Sequence, residues 1–205
     1  MKLIRQNIIY ILLGLGMLFF FTLWVFSERD NKTYEQYLSD ELVNKIVHIT
    51  GAPQYAIGII QDVLSSGEIT NSQAEELQIS FHDIAFDTQE INQMDNYFNR
   101  LENYSQNQVI SINNDYSDFF MKLNVESDKV KLSKDQLEKI KKMESLLQKY
   151  NDVVNETLLY TNKSGEKGQT SAFWDYYREQ GFKDDYWVDL LKGYGKVTDF
   201  SYRIN

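Results

Sequence analysis

Residues 77–101 read LQISFHDIAFDTQEINQMDNYFNRL, and the spacing of their apolar side chains predicts the fold class. Its apolar residues recur at every third or fourth position, with Thr88 in the one gap: Leu77, Phe81, Ile84, Ile91, Met94, Phe98 and Leu101. A repeat of about 3.5 residues aligns one apolar face along a helix that packs in a bundle. We therefore predict a long helix from about Ser72 to Ser105, capped by Thr70 or Asn71.

Two shorter helices are predicted before this one. Residues 34–49 carry apolar side chains at helical spacing. Thr50-Gly51-Ala52-Pro53 then indicates the end of one helix and the start of another, since proline is tolerated in the first turn of a helix. Ser65-Ser66-Gly67 ends this second helix.

Two helical segments are predicted after the long helix. The first lies near residues 109–125, where Asn113-Asn114-Asp115 weakens the pattern and allows a break. The second begins at Ser133-Lys134-Asp135-Gln136, which has the pattern of a capping box, and runs to about Thr161. Residues 162–171 contain two glycines and form the loop that we expect to be the most mobile.

The last segment, 172–205, is rich in aromatic residues and is predicted to form two short helices that pack on the bundle or extend it. Tyrosine and tryptophan are enriched at binding hot spots, so an exposed cluster would mark a partner-binding surface. The alternative is that these side chains fill one end of the core. The candidate partner-binding residues are Trp174, Tyr177, Tyr186, Trp187 and Tyr194.

Residues 8–26 contain no charged residue and, as a helix, are long enough to cross a hydrocarbon core of about 30 Å. A cleaved signal peptide is the alternative, but the run is longer than a signal needs and no small-residue cleavage site follows it. We predict a transmembrane anchor over 8–27, with Ile8, Leu12, Leu15, Phe19, Leu23 and Trp24 along it. The basic tail 1–7 is placed in the cytoplasm, and the bundle 28–171 outside the cell membrane.

Composition narrows the classes of function. The chain has 205 residues and a formal net charge of −9, and its first half is acidic. This argues against nucleic acid as a partner, because phosphate binding needs clustered Lys and Arg. The absence of cysteine excludes disulfides, thiolate metal sites and a cysteine nucleophile. The abundance of Asn, Lys, Ile and Tyr is typical of bacteria with AT-rich genomes.

No motif points to catalysis or to a cofactor. His48 and His82 are the only histidines, and neither has a second ligand at the spacing of a zinc site. Residues 113–118 offer oxygen ligands for calcium but lack the glycine and glutamate of an EF-hand loop. Residues 164–167 match the Ser-x-x-Lys spacing of penicillin-binding enzymes without their other motifs. We therefore predict no catalytic residue, no metal and no cofactor.

The lysines between residues 129 and 142 have two interpretations. They would either meet an anionic polymer or lipid headgroups, or form a solvent-exposed face with salt bridges. The second interpretation is favoured because Asp135 and Lys139, and likewise Glu138 and Lys142, are four residues apart in the stabilising order.

These patterns predict an all-α protein, in which one N-terminal transmembrane helix is followed by an extracytoplasmic bundle of about four to six helices. We expect a non-enzymatic interaction or accessory module of the bacterial envelope, with the membrane and another envelope or membrane protein as its partners. A homo-oligomer is also open. The alternative is a ligand-binding or sensory ectodomain that signals through a partner, and an enzyme that acts on cell-wall glycans is more remote.

Overall fold

The computed structural model describes residues 2–101, 107–123 and 128–204, with the side chains of α1 described from residue 13 onward. The regular secondary structure of the described part is helical apart from one short pair of strands, which confirms the all-α prediction. The helices are α1 (Lys2–Ser66), α2 (Asn71–Phe98), α3 (Asn107–Met121), α4 (Lys134–Thr157), α5 (Ser171–Gln180) and α6 (Tyr186–Val197), followed by one 3-10 turn (Phe200–Tyr202).

The two helices predicted on either side of Pro53 are wrong, because α1 runs through this residue without a break. Proline has no N–H, so it cannot donate to the carbonyl of Ile49 one turn earlier, and it normally breaks a helix there. The hydroxyl of Tyr194 in α6 donates to that carbonyl instead, at 2.7 Å. Burial, with the neighbouring Tyr150, raises the pKa of Tyr194 well above its usual value, so this hydroxyl stays protonated and keeps its donor.

The predicted long helix is α2, and its apolar face is buried as expected from Leu77 to Ile91. Thr70 caps it in a capping box with Gln73, one of the two capping residues predicted. The predicted extent is too long, because Asn99 adopts a left-handed conformation (φ 53°) that ends the helix after Phe98. The carboxylate of Asp95 then accepts the backbone N–H groups of the two residues that follow Asn99. The predicted end at Ser105 lies outside the described residues.

The segments after α2 follow the prediction more closely. Ser133 and Gln136 form the predicted capping box at the start of α4, and Ser65–Gly67 marks the end of α1. The helix α3 is continuous through Asn113, whose side-chain amide donates to the Val109 carbonyl and to the Tyr150 hydroxyl. A pair of three-residue antiparallel strands was not predicted: β1 (Glu68–Thr70) and β2 (Lys129–Lys131), with Ile69 opposite Val130.

One apolar core holds these helices together. The helix α2 packs against α1 and α3, while α4 packs against α1 and α6. Phe81 contacts Tyr116 edge to face and stacks on Phe120, which joins α2 to α3. A Cβ on Gly193 would lie 2.4 Å from Cγ1 of Val153, so glycine is needed where α6 crosses α4.

The loop between α4 and α5, predicted to be mobile, lies against α1. A Cβ on Gly51 would come within 3.0 Å of the Gly168 backbone. The side-chain amide of Gln169 donates to the Thr50 hydroxyl at 3.1 Å and accepts the Asn162 N–H through its oxygen. The loop therefore contacts α1 beside the turn that contains Pro53.

The N-terminal part of α1 extends beyond this core. The described large apolar side chains from Leu13 to Phe26 are all exposed, and they include the predicted anchor residues Leu15, Phe19, Leu23 and Trp24. The other two, Ile8 and Leu12, lie outside the residues whose side chains are described. Within the described part of the chain, no helix is long and apolar enough to cross a membrane.

Candidate functional site

The five aromatic residues proposed from the sequence lie in or against the core. Tyr177, Trp187 and Tyr194 are buried, while Trp174 and Tyr186 are half-buried. Each buried ring also satisfies a backbone group. Trp187 donates to the Phe182 carbonyl, the Tyr177 hydroxyl accepts the Leu159 N–H, and Tyr194 donates to Ile49. The structure therefore assigns this segment to the core, the second of the two roles considered. Partner binding by the five residues stays a prediction, and three of them offer little surface for it.

The charged side chains that the fold brings together lie between α1 and α2. Lys45 is buried, and its ammonium group lies 3.1 Å from the Glu41 carboxylate and 3.7 Å from those of Asp87 and Glu90. On the next turn of α1, Nδ1 of His48 lies 2.9 Å from the second oxygen of Asp87. Asp87 is only 5% exposed, so it depends on these two partners for its charge.

The pKa shifts in this cluster follow from its contacts. Burial disfavours the charged form of Lys45, but the hydrogen bond with Glu41 and the surrounding carboxylates outweigh it and raise the Lys45 pKa. The hydrogen bond with Asp87 is the main cause of the raised pKa of His48, although partial burial opposes it. The cluster therefore favours the protonated forms of both basic groups.

A small cavity lies beside this cluster. It has a volume of about 40 Å³ and is lined by His48, Asp83, Ser80 and Lys167, with the backbone of Gly51 and Gly168. Burial raises the pKa of Asp83, and the charge of Asp87 adds to this effect. The cavity has room for a few water molecules and none for an organic substrate. The titratable groups thus do not surround a substrate-sized cleft here.

A larger groove begins where the charged cluster ends. It has a volume of about 670 Å³ and lies between Leu38 of α1 and the last turns of α2. Leu38, Met94 and Phe98 are half-buried, and Tyr97, at 90% exposure, stands beside them. Polar groups border these apolar side chains: Glu90, Gln93 and Asn96.

A second apolar row, which the sequence analysis missed, runs along α2 and meets the groove at Tyr97. Ile79, Phe86 and Tyr97 are 43%, 48% and 90% exposed. Their separations of seven and eleven residues are about two and three helical turns, so they lie on one side of α2. The spacing of these residues was the available signal, since they fall off the predicted buried face. Together with four residues of α1 and seven of α2, they define what we call the α1/α2 face: Leu38, Glu41, Lys45 and His48, and Asp83, Asp87, Glu90, Gln93, Met94, Asn96 and Phe98.

The α1/α2 face carries an excess of negative charge. Four carboxylates lie along it, against one lysine and one histidine: Glu41, Asp83, Asp87 and Glu90 against Lys45 and His48. The predicted basic stretch, residues 129–142, makes contacts within the chain. Lys139 pairs with Asp135 at 3.1 Å as predicted, whereas Lys142 donates to the Arg203 carbonyl.

The other residues that the sequence offered for a metal site or catalysis either lie apart from one another or make structural contacts. His82 is exposed and stacks on Phe86, on a different turn from the His48–Asp87 pair. Asn113 is buried in the core, while Asp118 pairs with Lys122 on the surface. Lys167, from the Ser-x-x-Lys match, pairs with Glu76 at 3.5 Å. Among residues 2–101, 107–123 and 128–204, no three His, Asp or Glu side chains are grouped to hold a metal ion.

Comparisons with protein-family models, with curated proteins and with solved structures find no match. The α1/α2 face is therefore interpreted from its own chemistry. It combines an apolar groove, an exposed apolar row and more carboxylates than basic groups.

Proposed function

We propose that the chain is a membrane-tethered interaction module of the bacterial envelope, with α1 as its anchor and the helical bundle outside the cell membrane. The observation that carries this proposal is the exposed apolar segment of α1. Eleven large apolar side chains between Leu13 and Phe26 have no cover within the described residues. Such a surface is unfavourable in water and is typical of a segment surrounded by lipid or by other helices.

The sequence on either side supports the same interpretation. Residues 8–12 are also uncharged, so the apolar run over 8–26 is long enough for a hydrocarbon core of about 30 Å. Lys2 and Arg5 precede the run, which favours a cytoplasmic N-terminus. The helical bundle follows the run and would therefore lie outside the cell membrane.

A binding role for the bundle is supported by the α1/α2 face. Its groove and exposed row are apolar, whereas the titratable groups beside them surround only a small cavity. Catalysis needs titratable groups that converge on a space open to a substrate, whereas His48 and Asp83 line a cavity of only about 40 Å³. Apolar surface with a charged border suits a protein partner better.

A ligand-binding ectodomain is the second candidate, and the volume of the groove favours it. About 670 Å³ is within the range of small-molecule sites. However, such sites bury most of their ligand, whereas Tyr97 at the edge of this groove is almost fully exposed. We therefore place this candidate second.

The absence of native cysteine allows a direct test of the topology. Glu156 in α4 is exposed, so the Glu156→Cys variant presents one thiol on the bundle. We expect a membrane-impermeant maleimide to label this variant in intact cells, once the wall is removed. The Lys2→Cys variant serves as the matched control and should react only after the membrane is permeabilised. Labelling of Lys2→Cys but not of Glu156→Cys in intact cells would reverse the topology and contradict the proposal.

A further inference from the structure

The groove on the α1/α2 face has the shape and position to receive a helix. It lies between Leu38 of α1 and residues 90–98 of α2 and is open to the surface. The α2 residues that line it run from Glu90 to Phe98, roughly 12 Å along the helix axis. This length accommodates about two turns of an amphipathic helix, which recognises such grooves through residues spaced three or four apart.

The part of α1 before the bundle has an exposed surface that continues the groove. Tyr34 and Tyr37 are both exposed, and Tyr34 lies one turn before Leu38 on the same side of the helix. Residues 27–34 are exposed throughout.

The charge of the α1/α2 face indicates whether its partner is a second copy of this chain or a different protein. The four carboxylates of the α1/α2 face exceed its two basic groups, so two copies of this face would bring like charges together. Glu41 and Glu90 each have a partly exposed carboxylate, with side-chain exposures of 40% and 34%. They can therefore pair with Lys or Arg from outside the chain. Charge complementarity thus favours a basic partner over a second copy.

We propose that the α1/α2 face binds a basic amphipathic helix of a different membrane-anchored protein. Apolar side chains of that helix contact Met94 and Tyr97 in the groove, and its Lys or Arg side chains lie opposite Glu41 and Glu90. This inference rests on the proposed membrane anchor. Leu38 lies twelve residues beyond Phe26, or about 18 Å along α1, so a helix that leaves the membrane beside α1 reaches the groove.

Site-directed photocrosslinking in the cells that encode the chain tests this inference. The photoreactive residue p-benzoylphenylalanine replaces Gln93, which is exposed and lines the groove, in the full chain. A second version carries it at Glu156 on α4 as a control. We expect Gln93 to capture a protein whose crosslinked peptide has apolar residues at helical spacing and an excess of Lys and Arg. The Glu156 position should not capture it.

Two further substitutions separate specific binding from attraction to an acidic protein. Tyr97→Ala removes an exposed ring without touching the core, and Glu90→Lys reverses one charge of the groove. Each should lower the crosslink from Gln93 by about tenfold or more, the loss typical of a binding hot spot. Glu156→Lys makes the same change in net charge on α4 and should leave the crosslink unchanged.

Several results would overturn the inference. They are a captured peptide from a second copy of the chain, a captured peptide without basic residues, an adduct with lipid only, and a yield at Gln93 no higher than at Glu156. An unchanged yield in Tyr97→Ala would also overturn it, even if Glu90→Lys failed to fold. Fractionation of the same cells distinguishes the two proposals. A membrane-bound chain without the crosslink refutes the groove alone, whereas a chain released from the membrane refutes the anchor as well.

Discussion

The hydrogen bond from Tyr194 to Ile49 explains how α1 passes through Pro53, and it leads to a quantitative prediction. Tyr194→Phe removes the hydroxyl and keeps the ring, which stacks on Tyr150 with centroids 4.2 Å apart. The Ile49 carbonyl then has neither the proline N–H nor the tyrosine donor. An unsatisfied buried carbonyl costs about 1–3 kcal/mol, so we expect the free energy of unfolding to fall by this amount.

The same substitution in a chain that also carries Pro53→Ala isolates the role of Pro53. In Pro53→Ala the backbone N–H is restored and can donate to Ile49, as in an uninterrupted helix. Tyr194→Phe should then cost less than about 1 kcal/mol, because the carbonyl keeps one donor. The two substitutions should therefore be coupled by about 1 kcal/mol or more, which is within the range for residues that share a partner.

Equilibrium urea denaturation of the full chain in detergent micelles, followed by circular dichroism, measures these values. Tyr97→Phe is the matched control, since Tyr97 is 90% exposed and its hydroxyl is solvated. It should change the free energy of unfolding by less than about 0.5 kcal/mol. An equal cost of Tyr194→Phe in both backgrounds would refute the account of α1.

Two further predictions concern packing and pH. Gly193→Ala places a Cβ against Val153 and should lower the free energy of unfolding by about 1–3 kcal/mol. Gly58→Ala, at an open helical position, should raise it by about 0.5–1 kcal/mol. Urea denaturation measures both values. His48 has a raised pKa, so its stabilising contribution is complete below the ordinary value of 6.5 and is lost as pH rises through the folded-state value. Asp87→Asn should lower the His48 pKa in an NMR titration, and an unchanged value would contradict the assigned cause.

The sequence pattern predicted the helices that local periodicity and caps define. In α2, the apolar face from Leu77 to Ile91 and the cap at Thr70 belong to one helix, so residues close in sequence suffice to predict it. The cap at Ser133 is equally local. Pro53 was misinterpreted because the donor that rescues its turn, Tyr194, lies 145 residues away from Ile49 in the chain.

The strand pair and the α1/α2 face were missed for related reasons. Three residues in each strand are too few for a period-two pattern, and the pairing of Ile69 with Val130 depends on the arrangement of the helices. Lys45 and Asp87 meet only because α1 and α2 pack side by side. The aromatic residues at the C-terminus were recognised as important, but whether they were exposed or buried depended on the packing of α6 against α4.

Alkaline carbonate extraction of membranes that contain the full chain tests whether α1 anchors the protein in the membrane, with the fraction left in the membrane pellet as the measured quantity. The account predicts that the chain stays in the pellet. Leu15→Asp combined with Phe19→Asp should release it, because each carboxylate in mid-span costs about 2.5–3.5 kcal/mol. Release of the unsubstituted chain into the supernatant would contradict the claim that α1 is a membrane anchor.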